Sequence, residues 1–140
     1  MVNATSSTSV NYNIINGTND DDILDGTNLN DFIRGGDGRD VIFGKEGNDV
    51  LRGGKGNDSL YGEAGNDTLL GHEGNDILIG GDGANILNGG LDNDTAIVGW
   101  QDTADGGSGN DKLDMTGMDI DVKSLAILSP LLVPDRKVIE

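Results

Sequence analysis

The chain has 140 residues, of which 24 are glycine, 34% are hydrophobic and 4% are aromatic, and its formal net charge is −16. This apolar content is too small for a conventional hydrophobic core, unless something neutralises the carboxylates and rewards a fixed geometry. The excess of 25 acidic over 9 basic residues argues against nucleic acid and anionic membrane surfaces as partners, because both require clustered Lys or Arg. The absence of cysteine excludes disulfides and thiolate metal sites, and no apolar stretch has the length of a membrane span.

The first element predicted along the chain is a short strand. Residues 2–9 are a lead rich in Ser, Thr and Asn, and the following five residues alternate apolar and polar side chains in the order VNYNI. Alternation of this kind is typical of a strand. We therefore assign residues 1–16 to a linker and an N-terminal capping strand.

Nine-residue units follow from Gly17 to Ile97, and each of the nine units opens with glycine. The cleanest read GGDGRDVIF from Gly35 and GGKGNDSLY from Gly53, with Asp at the sixth place and a large aliphatic residue at the eighth. The first six places have a turn composition that tolerates positive φ, and the last three suffice for one short strand. A chain that reverses every nine residues closes one coil with two units, and successive coils stack as parallel strands.

The eighth-place side chains then point inward and form a thin aliphatic ladder with two members in each coil. They are Leu24, Ile33, Ile42, Leu51, Leu60, Leu69, Leu78 and Leu87. The pattern predicts an all-β fold, a parallel β-roll (β-solenoid) over residues 17–114 with about five coils of about 18 residues each. An antiparallel meander of hairpins is the alternative, but hairpins do not explain an Asp at the sixth place of nearly every unit.

The C-terminal part departs from the repeat. A unit around Val98–Asp105 is one residue short, and the pattern returns once as GGSGNDKLD from Gly106. Residues 115–140 are non-repetitive and form the most apolar stretch of the chain. We expect this segment, with Trp100, to be a C-terminal cap over the open end of the roll, which otherwise exposes strand edges. We expect a monomer; a dimer formed through the apolar tail is the alternative.

The sixth-place residues carry the chemistry of the repeat. They are Asp22, Asp31, Asp40, Asp49, Asp58, Asp67, Asp76, Asp94 and Asp111, with Asn85 as a substitute. In a two-unit coil they stack along an edge, where two unit charges one strand spacing apart repel by about 0.9 kcal/mol in water. A divalent cation between each pair turns this repulsion into attraction. Because the donors are carboxylate and carbonyl oxygens, they favour Ca²⁺ over Mg²⁺; a solvated acidic face without a specific ion is the alternative.

These units resemble the calcium-binding nonapeptide of the RTX (repeats-in-toxin) family of bacterial proteins exported by type I secretion. The resemblance covers Gly17 to Asp114 and implies a right-handed parallel β-roll with Ca²⁺ between turns on the same edge. It also implies a ligand pattern. Carbonyls at the second and fourth places and the Asp come from one turn, and carbonyls at the first and third places and the Asp come from the turn two units on.

Applied to this chain, the resemblance implies five core sites and about five to eight calcium ions in all. Their ligand sets are Gly36, Gly38 and Asp40 with Gly53, Lys55 and Asp58; Lys45, Gly47 and Asp49 with Gly62, Ala64 and Asp67; Gly54, Gly56 and Asp58 with Gly71, Glu73 and Asp76; Glu63, Gly65 and Asp67 with Gly80, Asp82 and Asn85; and His72, Gly74 and Asp76 with Gly89, Leu91 and Asp94. Asn85 removes a charge and is expected to weaken its sites. The first two units, with Thr at the second place, and the short unit before Asp111 also depart from the pattern.

The function that the resemblance implies is a calcium-binding module of a secreted or cell-surface bacterial protein, such as a toxin or an adhesin. Such a module folds on exposure to external Ca²⁺ and supports secretion and extracellular stability. The alternative is a carbohydrate- or surface-binding accessory of an adhesin or polysaccharide-modifying enzyme, which an aromatic or basic stripe would mark. Arg34, Phe43, Arg52 and Tyr61, all at ninth places, are candidates for that stripe. We expect no catalysis, because the only histidine, His72, has no nucleophile context and the family keeps catalysis in other domains.

Overall fold

A computed structural model of the chain describes residues 11–116. These residues form twelve β-strands, and this part of the chain contains no helix that is long and apolar enough to cross a membrane. The strands are β1 (Asn13–Asn16), β2 (Ile23–Asp25), β3 (Asp31–Asp37), β4 (Val41–Glu46), β5 (Val50–Lys55), β6 (Ser59–Ala64), β7 (Thr68–Glu73), β8 (Ile77–Asp82), β9 (Ile86–Leu91), β10 (Thr95–Ile97), β11 (Thr103–Ser108) and β12 (Lys112–Asp114). The predicted N-terminal strand is β1, which begins at Asn13. The predicted lead and the body of the C-terminal cap lie outside the described residues.

The strands alternate between two parallel sheets. The odd-numbered strands form a first sheet in the order β1-β3-β5-β7-β9-β11, and the even-numbered strands form a second sheet from β2 to β12. Register partners along most of the roll are 18 residues apart, as in the pair Leu51 and Leu69. The predicted all-β parallel roll is therefore confirmed. It has six coils rather than about five, because β1 pairs with β3 and because pairing continues through the short unit.

The one-residue deletion in the short unit is absorbed by its turn. Strand β11 pairs with β9 at an offset of 17 residues, with Thr103 opposite Ile86 and Ala104 opposite Leu87. Because the shift is confined to the turn, the inward-facing period of the following strand is kept. A slip within a strand would instead move every following side chain to the opposite face.

The eighth-place ladder forms the core. The seven aliphatic side chains from Ile33 to Leu87 at this place are at most 1% exposed, and Leu24 at the N-terminal end is half-buried. Alternation within each strand explains this, because the seventh- and ninth-place side chains point outward while the eighth points inward. The core is only as wide as two such side chains, so the turns contribute a large share of the buried material.

The fourth-place glycines are required by the packing of one turn on the next. Gly56 has φ +121°, a conformation that L side chains rarely adopt. A Cβ built on Gly56 would collide with the carbonyl oxygen of Gly38 in the preceding coil. The glycine therefore serves both the turn conformation and the close approach of two turns.

We predict that Gly56→Ala destabilises the folded roll by at least about 2 kcal/mol, because the methyl group meets a backbone carbonyl in a left-handed backbone region. Urea unfolding at saturating calcium measures the difference. Gly99→Ala is the matched control: its Cβ would have Asp102 Oδ2 at 3.4 Å as its nearest neighbour, and its φ is not positive. Equal stability of the two variants would contradict the close-approach argument.

Candidate metal centre

The turns stack into two rows, one along each edge of the roll. The first edge holds the turns that lead from the first sheet to the second, and the second edge holds the turns that lead back. The sixth-place residues of the first edge are Asp22, Asp40, Asp58, Asp76, Asp94 and Asp111, and those of the second edge are Asp31, Asp49, Asp67, Asn85 and Asp102. Successive residues in a row lie one coil apart, as predicted.

One oxygen of each sixth-place side chain beyond the first coil is held by the backbone of the preceding coil. The backbone N–H of Asp40 donates to Asp58 Oδ1 at 2.8 Å, and the N–H of Asp49 donates to Asp67 Oδ1 at 2.8 Å. The same bond recurs along both rows up to the N–H of Asp94, which donates to Asp111 Oδ1 at 3.0 Å. These bonds fix each carboxylate beneath the turn of its own unit, where the side chains from Asp31 to Asp94 are at most 3% exposed.

The other oxygen of six of these carboxylates is buried without a hydrogen-bond partner among the described residues. The six atoms are the Oδ2 atoms of Asp40, Asp49, Asp58, Asp67, Asp76 and Asp94. Each lies in the space that a side chain on the first-place glycine of its own unit would fill. At Gly44, for example, a Cβ would lie 2.6 Å from Asp49 Oδ2 and 2.7 Å from the carbonyl oxygen of Gly62. Two acceptors thus converge on one space, and neither brings a proton.

Further carbonyl oxygens line the same gap between successive turns. On the first edge, the carbonyls of Gly36 and Gly38 point toward the second- and fourth-place glycines of the next turn, where any Cβ would strike them. From the next turn, the third-place carbonyl of Lys55 points back and accepts a hydrogen bond from the N–H of Gly38 at 2.9 Å. The gap therefore receives carbonyl oxygens from the turns on both sides.

This oxygen set fits a hard divalent cation. Buried carboxylate oxygens without donors, together with carbonyls that converge from two turns, are the ligand chemistry of Ca²⁺. Within the described residues no group of three or more His, Cys, Asp or Glu is placed to hold a metal, which agrees with gaps that contain at most two sixth-place carboxylates and otherwise backbone oxygens. The turns of each of the five predicted sets face each other in register. The individual ligand assignments stay predictions.

Burial has a strong electrostatic effect on these carboxylates. It raises the pKa of Asp49 and of Asp76 to about 7 and the pKa of Asp58 to about 6, because the charged form loses its solvation. The backbone N–H donors act in the opposite direction, and neighbouring carboxylates add to the rise. Burial is also the first cause of the raised pKa of Asp40, Asp67 and Asp94. Without a cation, the fold disfavours the ionised form of all six.

The first two turns are different, because threonine satisfies their carboxylates. The N–H and the hydroxyl of Thr18 donate to Asp22 Oδ2 at 2.6 and 2.9 Å. In the next turn, the N–H of Thr27 donates to Asp31 Oδ2 at 2.6 Å, and its hydroxyl donates to the same oxygen at 3.1 Å. Asp22 and Asp31, both predicted as ligands, therefore have protein donors to Oδ2, whereas the six carboxylates described above have none among the described residues.

The second edge contains two further departures. Asn85 accepts the N–H of Asp67 at 2.8 Å through Oδ1, as an Asp would, and its Nδ2 donates to the carbonyl of Gly81 at 3.4 Å. Asp102 occupies the sixth place of the short unit, where its Oδ1 accepts the N–H of Asn85 and its Oδ2 accepts the N–H of Gly99. Asp102 was not predicted as a sixth-place residue because the short unit shifts the register by one residue; its spacing to Gly106 is the usual one from Asp to the next first-place glycine.

The fifth-place asparagines form a second ladder that the sequence analysis did not assign. The side-chain oxygen of Asn48 accepts the N–H of Asn66 in the next coil at 2.8 Å. On the first edge, Asn75 accepts the N–H of Asn93 in the same way at 2.8 Å. The repeated Asn-Asp pair was visible in the sequence, and its two members bond the coils in opposite directions.

Comparison with known families agrees with this geometry. A model of the RTX calcium-binding nonapeptide repeat matches residues 16–51, 25–60, 43–78, 61–96 and 101–114, which together exceed half of the chain. No curated protein matches the chain. Repeats of this family bind calcium and are typical of secreted bacterial proteins. The chain belongs to the RTX calcium-binding nonapeptide repeat family.

Proposed function

We propose that this chain is a module whose folding depends on calcium, in a protein that is exported to the cell surface or the medium. The observation that carries the proposal is the set of six buried carboxylates whose Oδ2 atoms have no donor among the described residues. The ligands are the sixth-place carboxylates together with the first- to fourth-place carbonyls of facing turns, in the four predicted sets whose two sixth-place residues are both Asp. Calcium supplies the positive charge that these oxygens lack.

The energetic argument rests on the cost of burying charge. An ionised carboxylate that is buried without a partner strongly destabilises a fold. Six of them occur here around a hydrophobic core that is only two aliphatic side chains wide. An ion that binds only the folded chain stabilises it by about 2.7 kcal/mol per site at a hundredfold excess over Kd. Several such sites together approach the usual stability of a domain, about 5–15 kcal/mol. The chain therefore stays unfolded at cytoplasmic calcium levels and folds at extracellular levels.

We predict that the chain lacks β structure in chelator and gains it cooperatively on addition of Ca²⁺, and that Mg²⁺ is a poor substitute. Far-UV circular dichroism during titration measures this. Asp58→Asn should lower the number of bound ions and the cooperativity, because it removes a charge from two gaps. Asp37→Asn makes the same chemical change at an exposed third place and is the control. A full β spectrum in chelator at neutral pH would contradict the proposal.

We also predict that acid partly replaces calcium in the metal-free chain. Because burial raises the pKa of Asp49 and Asp76 to about 7, the folded state binds more protons than the unfolded state between about pH 4 and pH 7. The free energy of unfolding of the metal-free roll therefore rises as the pH falls through this window. Circular dichroism of dilute, metal-stripped protein at pH 7 and pH 5 tests the sign. Loss of residual β structure on acidification would be the opposite of this result.

Binding to an acidic polysaccharide is a second candidate function, and one cluster of residues favours it. Arg34 and Arg52 are register partners in the first sheet, and their guanidinium carbons lie 4.6 and 5.0 Å from the centre of the Phe32 ring. Neither arginine forms a salt bridge within residues 11–116, although the chain is strongly acidic. Phe43 and Tyr61 stack on each other in the second sheet, with ring centres 4.9 Å apart, so the predicted stripe divides between two faces. The arginine face, rather than a combined stripe, is the candidate surface.

We predict that short oligo-uronates, too short to gel with calcium, bind the calcium-loaded chain through this arginine pair. Changing Arg34 and Arg52 together to Ala should weaken binding about tenfold or more, because two charge-assisted contacts are lost. Isothermal titration calorimetry at low ionic strength measures the affinity. Arg39→Ala removes an exposed turn arginine and is the matched control. No heat of binding to the unmodified chain would retire this candidate, and the calcium proposal would be unaffected.

A further inference from the structure

The two edges of the roll differ in how many of their buried carboxylates have an oxygen without a hydrogen-bond partner among the described residues. On the first edge, four successive buried carboxylates have an Oδ2 without a partner within residues 11–116: Asp40, Asp58, Asp76 and Asp94. On the second edge, two successive buried carboxylates of this part of the chain do: Asp49 and Asp67. The sequence repeat alone does not show this asymmetry, since both edges carry nearly the same pattern.

At three of their four ends the rows stop where the chain supplies its own donors, and at the fourth, Asp111, the residue is exposed to solvent. At the N-terminal end of each row, a threonine donates two hydrogen bonds to the carboxylate of its turn, Thr18 to Asp22 and Thr27 to Asp31. The hydroxyl of Thr18 also accepts the N–H of Asp20 at 3.2 Å, which holds the hydroxyl so that its proton faces the carboxylate. The threonine hydroxyl and N–H thus provide to these carboxylates the positive partner that a cation provides elsewhere.

The second edge is also closed at its other end. At position 85 an amide nitrogen stands where the other units have the unpartnered oxygen, since a Cβ on Gly80 would meet Asn85 Nδ2 at 2.6 Å. This nitrogen is a donor, so it satisfies an acceptor in the gap, the carbonyl of Gly81. One turn later, the N–H of Gly99 donates to Asp102 Oδ2 at 2.7 Å. The short row of Asp49 and Asp67 therefore lies between positions that the protein satisfies by itself.

We propose that Thr18, Thr27 and Asn85 replace calcium at their turns, so that calcium loads two unequal rows. The long row on the first edge runs from Asp40 to Asp94, and the short row on the second edge consists of Asp49 and Asp67. This inference rests on the proposed calcium-dependent function and adds which turns require the ion. The long row sets the calcium requirement of the fold, because more uncompensated charges repel along it.

The test is to count the calcium ions bound to the full chain by native mass spectrometry at saturating calcium. Two isosteric variants are compared with the unmodified chain, one that adds a carboxylate to a row and one that removes a carboxylate from a row. Asn85→Asp extends the short row by one carboxylate, and we expect at least one additional ion and a steeper calcium titration. Asp76→Asn interrupts the long row, and we expect at least one ion fewer and a shallower titration. Thr27→Val removes only the hydroxyl donor, so we expect lower stability at saturating calcium without the loss of an ion.

The outcomes separate this inference from the proposed function. If the unmodified chain binds calcium but Asn85→Asp binds no additional ion, Asn85 does not replace calcium and the inference fails while the function stands. If Asp76→Asn keeps the full number of ions, the long row is not the unit of loading. If the unmodified chain binds no calcium at all, the proposed function itself fails. If Asn85→Asp does not fold at any calcium concentration, the double variant Asp67→Asn/Asn85→Asp is tested. This variant has the same number of carboxylates in the row as the unmodified chain, so it should fold. If it does not fold, the inference is overturned.

Discussion

The structure depends on a carboxylate that is buried in each of six turns with only one of its two oxygens bonded within the described residues. The bonded oxygen, as in Asp58, ties one coil to the backbone of the coil before it. The other oxygen faces carbonyls instead of donors, so the arrangement is stable only when a cation or a proton joins it. Because this oxygen is buried, bulk water cannot donate a hydrogen bond to it. The turn is therefore both the structural joint between coils and the place where the proposed function puts the ion.

The glycines of the repeat leave the space that the carboxylate and carbonyl oxygens of the turns occupy. At the first place, the position that a Cβ would take on Gly44 lies 2.6 Å from Asp49 Oδ2, so a side chain there would displace the carboxylate. At the fourth place, Gly56 leaves room for the carbonyl of Gly38 from the preceding coil. A larger residue at either place would close the gap that receives the oxygen ligands. Because each glycine makes room for an acceptor, the composition that weakens the hydrophobic core is the same composition that builds the ion-binding edge.

The sequence predicted whatever follows from the period of the repeat, and it was less informative where a single side chain changes a turn. The buried ladder that includes Leu60 and the stacking of the sixth-place residues follow directly from two units per coil. Arg34 and Phe43 belong to consecutive units, so the alternation of units between the two sheets places them on opposite sheets, although they were predicted to form one stripe. The donation of two hydrogen bonds by Thr27 could not be read from spacing, because it depends on the local turn conformation. Asp102 was missed because a fixed register of nine was carried across a turn that is one residue shorter.

Neighbouring coils are joined by two ladders of side-chain hydrogen bonds, one from the fifth-place asparagines and one from the sixth-place residues, and the two ladders run in opposite directions. Fifth-place oxygens such as that of Asn48 accept from the following coil, whereas sixth-place oxygens such as that of Asp67 accept from the preceding one. A coil that separates from its neighbour therefore breaks both bonds on each edge as well as the strand pairing. In a repeat of this kind, stability is a sum of terms within coils and terms between them. Because the aliphatic ladder is narrow, the contribution to stability from within a single coil is small. In the proposed function, calcium binds between coils and strengthens the interaction between them, which makes folding of the roll cooperative.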